Sequence, residues 1–97
     1  MCDIDVFFNT LEMSPNAIVD FINWMKPNLH SGGNNFVMLY GHFESLNTYY
    51  SLKRNFPEVS DHADYNLLIE ILKSKIRMME THSILQEFLN KTPINLT

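Results

Sequence analysis

Cysteine occurs once, glycine three times and proline four times in this chain of 97 residues. Each scarcity excludes something. A lone Cys2 cannot close an internal disulfide, nor supply a zinc site built on four cysteines or on two cysteines and two histidines. It fits a reducing setting, and a cytoplasmic location is expected. Basic residues are few as well: seven Lys and Arg against eleven Asp and Glu, a net charge of −4. A phosphate-reading surface shows a basic balance or stripe, so direct nucleic-acid binding is disfavoured. No run approaches the roughly 18 apolar residues that a membrane span requires. Met1-Cys2-Asp3-Ile4-Asp5 has no basic region ahead of an apolar core, so a secretory signal is not expected. Without one, the sequons Asn90-Lys91-Thr92 and Asn95-Leu96-Thr97 are expected to be chance matches.

Catalytic patterns are missing too. The histidines His30, His42, His62 and His82 form no pair at i, i+3 or i+4, so no helix face offers two imidazoles to a metal. Asp61-His62-Ala63-Asp64 is the densest polar cluster, and helix capping explains it without a ligand. Ser31-Gly32-Gly33-Asn34-Asn35 lacks the spacing and lysine of a phosphate-binding loop. Nothing pairs two carboxylates or sets a nucleophile beside a base. We expect no enzyme activity and no cofactor.

What is present is apolar: 45% of the residues are hydrophobic, with seven Phe, four Tyr and one Trp. That composition describes one small folded domain over 1–97, and the large rings can fill a core in a short chain. The patterning is helical throughout. Ile4, Phe7, Phe8 and Leu11 sit at i, i+3, i+4 and i+7, which predicts a short helix over 1–11. Ser14-Pro15 reads as a serine cap with proline at the first helical position. Ala17, Ile18, Phe21, Ile22, Trp24 and Met25 then share a face until Pro27 ends the helix near Lys26. Residues 28–35 form the main loop. A third helix spans 36–55 on the stripe Phe36, Leu39, Tyr40, Phe43, Leu46 and Tyr50, with Met38, Tyr49, Leu52 and Phe56 widening it. Gly41 inside it could admit a neighbouring helix.

Pro57 forces a reversal, with Ser60 or Asp61 placed to cap the next helix. Residues 61–91 contain no Gly or Pro and read as one long helix running back along the third, up to a stop at Thr92-Pro93. The expected fold is all-α: two short helices, then a long antiparallel helical hairpin. At about 100° per residue, Tyr65, Leu68, Ile69, Leu72, Ile76 and Met79 form one stripe of this helix. Leu67, Ile71, Met78, Leu85 and Leu89 form a second, roughly opposite. Two opposed apolar stripes need two layers of cover, and a chain this short has little left to wrap a long helix.

The expected function is therefore protein binding by surface occupation, with a homo-oligomer or another protein as partner and no membrane. The candidate interface is Leu67, Ile71, Met78, Leu85 and Leu89, with Tyr49 as a rim anchor, since aromatics are enriched at such surfaces. Compact, acidic, motif-free chains of this size are a form that virus- or mobile-element-encoded inhibitors of host enzymes often take. The alternative is a small-ligand protein. Tyr40, Tyr49, Tyr50 and Trp24 would then line a pocket for a nucleotide or lipid-like molecule, with Lys53 or Arg54 meeting a phosphate.

Overall fold

Pro15, Pro27 and Pro57, three of the four prolines, mark element boundaries in the structure, a computed structural model that describes residues 4–30, 32–79 and 81–91. Helix α1 (Ile4–Met13) and α2 (Pro15–Met25) are separated by Ser14 alone. A residue before proline is pushed out of the helical region, and Ser14 is extended at φ −128°, ψ 102°. Its backbone N–H still donates to Thr10 O at 2.9 Å, closing α1, and its carbonyl accepts from Ala17 N at 3.1 Å, opening α2. The Ser14 hydroxyl makes no capping bond, so Pro15 rather than a serine cap sets this boundary.

Pro27 turns the end of α2 into a 3-10 turn over Lys26–Asn28. Asn28 Nδ2 donates to Trp24 O at 2.9 Å and satisfies one carbonyl left open at the helix end. Helix α3 (Gly33–Asn55) begins three residues before the expected Phe36. Gly33 adopts φ +77°, where a side chain would be strained. A Cβ on Gly32 would run into the Phe36 ring. A second 3-10 turn, Pro57–Asp61, leads into α4 (Ala63–Met78). His62, extended at φ −90°, ψ 125°, holds the N-cap position, in place of the expected Ser60 or Asp61. Those two residues are used within the turn, where Ser60 Oγ donates to Pro57 O at 2.8 Å and Ser60 O accepts from Asn66 Nδ2 at 2.9 Å.

The 61–91 segment is not one helix. Met79 is extended at φ −89°, ψ 161°, and a separate helix, α5 (Thr81–Lys91), comes after it. The break corrects the second stripe. In an unbroken helix Leu85 would lie eighteen residues, five full turns, above Leu67 and on the same face. Instead, Leu67 is 59% exposed while Leu85 and Phe88 are fully buried. The physical driver is aromatic. Phe88 meets Phe21 edge-on at 4.8 Å and Trp24 at 5.4 Å between ring centroids. A continuous helix would carry Phe88 away from α2 and leave those rings without it. The proposed stop at Thr92-Pro93 and the first three residues of the expected 1–11 helix lie outside the described residues.

Phe21 is the hub of the core. It also packs edge-on against Phe7 of α1 at 5.3 Å and Phe43 of α3 at 4.7 Å. Around it α1 buries Phe8 and Leu11, α3 buries Leu39, Leu46 and Tyr50, and α4 buries Tyr65, Ile69 and Ile76. Tyr65 of α4 donates its hydroxyl to Tyr49 O of α3 at 2.7 Å. At the other end Met38 and His42 of α3 share a groove with Met78 of α4. The pairing thus runs in opposite senses along the two helices. Two ion pairs fasten α1: Asp5 to Arg77 of α4, and Glu12 Oε1 to Lys53 Nζ of α3 at 2.6 Å. Gly41 faces open space, so none of the described helices uses it for close approach. The fold is all-α, with five α-helices and no strand among the described residues.

Candidate docking surface

The inner face of α4 is set by Tyr65, Ile69 and Ile76, which point into the core with Leu72 half-buried beside them. The opposite face then has to point outward, and apart from Ser74 its middle line is apolar. Leu67 is 59% exposed, Ile71 41% and Met78 86%. Surface apolar residues scattered singly are ordinary, whereas several on one helix face make a candidate docking surface. Leu68 beside Leu67, and Met38 of α3 beside Met78, widen the strip. Toward its Met78 end lies a groove of about 310 Å³ lined by Met38, His42, Lys75, Met78 and Met79. Methionine side chains are flexible and polarisable, which suits a surface that must fit another.

Charge borders the strip on both sides. Along one edge stand Glu70 and Arg77. Arg77 is held in place by Asp5, and its guanidinium lies 5.2 Å from the centre of the Phe8 ring. Lys75 stands on the other edge, next to His42. Partial burial and the Lys75 charge together hold the His42 imidazole below its ordinary pKa, so it is neutral at pH 7.

The structure thus keeps Leu67, Ile71 and Met78 together and removes Leu85 to the core; the Leu89 side chain lies outside the described residues. Tyr49 is half-buried and edge-on to Tyr65 at 6.1 Å, on the α3 side of α4. Met38, one of the groove's three methionines, was legible in the sequence only as part of a widened helix face. What identifies it as surface is that the core uses Leu39 and Phe43 instead.

The rings proposed for a ligand pocket are dispersed. Tyr50 is 1% exposed and inside the core. Tyr40 donates to its own helix neighbour Glu44 at 3.0 Å. Trp24 lines a cleft of about 230 Å³ near α5 with Phe36 and Ile84. Lys53 is paired with Glu12. A wider, open depression of about 490 Å³ between α2 and α3 is bordered mostly by polar side chains, Asn23, Lys26, Glu44, Asn47 and Thr48 among them. The Tyr50 hydroxyl is buried with no hydrogen-bond partner among the described residues, and burial raises its pKa.

Among the described residues there is no group of three or more His, Cys, Asp or Glu able to hold a metal ion. No helix among them is long and apolar enough to cross a membrane. No family model matches the chain, and no curated protein or solved structure matches it.

Proposed function

We propose that this chain is a non-enzymatic protein-docking module that works inside the cell by covering part of a partner's surface. The observation that carries the reading is the outward face of α4, where Leu67, Ile71 and Met78 stay exposed on one line. Burying three such side chains against a partner contributes about 1.5–3 kcal/mol each where burial is complete. They stand on a regular helix backed by the core, so little backbone order is lost on binding. Action by steric cover needs no catalytic group. A small acidic chain encoded by a virus or mobile element to block a host enzyme would work in this manner.

The test is a paired capture. Immobilised chain should retain one protein in stoichiometric amount from an extract, a second copy of itself included. The Leu67→Asp/Met78→Asp variant should keep its helical circular dichroism and retain none. Equal retention by both chains would remove the strip from the mechanism.

A further inference from the structure

Resting on the docking reading above, we propose that the strip's occupant is a second copy of this chain, α4 against α4 in antiparallel orientation. Three features of α4 converge on that partner. The first is spacing. Leu67, Ile71, Ser74 and Met78 succeed one another at intervals of four, three and four residues, the seam of a helix pair. Tyr65, Ile69, Leu72 and Ile76 repeat the same intervals on the opposite side of α4 and are the seam the chain's own core uses. The helix therefore carries two seams, and only the inner one is covered by the described elements.

The second feature is size. In an antiparallel pair centred between Ile71 and Ser74, Leu67 faces Met78 of the second copy, and Ile71 faces Ser74 of the second copy. Large side chains meet small or flexible ones, which packs without voids. A parallel pair would stack the two serines on each other and leave a gap at mid-seam.

The third is charge. Glu70 and Arg77 are seven residues apart and so share one edge of the seam. Antiparallel pairing brings that edge against its own copy, so Glu70 meets Arg77 of the second copy and the reverse. Arg77 is already held in place by Asp5 and the Phe8 ring, which reduces the order lost on pairing. Glu70 has no ion pair within the chain among the described residues. On the other edge Leu68 meets the Lys75 stem of the second copy, an apolar contact that leaves the ammonium in water. The two-fold operation makes every favourable contact twice.

Helix α4 has 16 residues, about 24 Å at 1.5 Å per residue. A seam that long gives an interface at the small end of the stable range, so the dimer forms reversibly with concentration. Light scattering across a concentration series should show the mass rising from 11.4 kDa toward twice that value. Glu70→Arg places like charges at both ends and should weaken the dimer by about tenfold or more, with Glu70→Gln between it and the parent chain. In a Cys2→Ser background, Leu67→Cys and Met78→Cys chains mixed together should form a disulfide-linked mixed dimer under mild oxidation. Neither alone should cross-link to itself. Leu67, Glu70 and Met78 are exposed, so circular dichroism should be unchanged when they are substituted. A chain that stays at 11.4 kDa at every concentration would overturn the proposal, as would self-linking of Leu67→Cys. If that monomer still captures a different protein through Leu67 and Met78, the docking reading stands and only self-pairing falls.

Discussion

Replacing Tyr50 with Phe should stabilise this protein. Tyr50 is 1% exposed, and its hydroxyl has no hydrogen-bond partner among the described residues. A hydroxyl moved from water into such a place loses its water bonds and gains nothing in return, at a cost of about 1–3 kcal/mol. Phe keeps the ring and removes only the oxygen, so the variant recovers that cost less a few lost contacts, about 1–2 kcal/mol net. For a domain of this size the melting temperature should rise by about 4–8 °C per kcal/mol. Urea titration monitored by circular dichroism reads the change directly, with an unchanged slope if the unfolded state is unaffected. The pH profile supplies an independent arm. Burial raises the folded pKa of Tyr50 above its ordinary 10.0. Above pH 10 the unfolded chain releases this proton while the folded chain holds it, so the parent loses stability as pH rises. Tyr50→Phe lacks that loss, and its advantage should widen above pH 10. Tyr65→Phe is the matched contrast: it deletes a real bond, the one to Tyr49 O, and should cost about 0.5–1.5 kcal/mol. A Tyr50→Phe variant less stable than the parent by about 1 kcal/mol or more would show that the hydroxyl has a partner and refute the reasoning.

Two further outcomes rest on the same structure. At concentrations where the chain is monomeric, Leu85→Asp should unfold it or cost about 3 kcal/mol or more, since it buries a charge in the core, whereas Leu67→Asp should stay within about 0.5 kcal/mol of the parent; equal effects in thermal melts would place both residues on one face and restore the unbroken helix. The folded pKa of His42 lies below its ordinary 6.5, so the unfolded chain takes up the proton first and stability is lost as pH falls below about 6.5; His42→Gln should flatten the urea midpoint between pH 7 and pH 5, and an unchanged slope would place the titrating group elsewhere.

The candidate strip was half legible. Leu67, Ile71 and Met78 share a face by helical arithmetic alone, and they are exposed together. Leu85 obeys the same arithmetic and is buried, because the arithmetic assumes an unbroken rod. A faint signal was available: Phe88 falls on neither stripe of a continuous helix, and a large ring with no place to go is a reason to suspect a turn. The rings named for an aromatic pocket are dispersed within the chain for a related cause. Tyr50 and Tyr40 sit on one stripe in sequence, yet one is in the core and the other bonds Glu44 at the surface.

The amino-acid order alone determined the helical class and most of the boundaries. Those depend on local covalent facts, a proline ring at 15, 27 and 57 and apolar residues at helical spacing, which act wherever the chain lies. Tertiary structure alone decided the turn at Met79 and the choice of which α4 stripe faces water. No breaker marks residue 79. The bend lets Phe88 pack against the distant rings of Phe21 and Trp24 in α2 and leaves Leu85 buried in the core, burial that favours the bend and is invisible to any local rule.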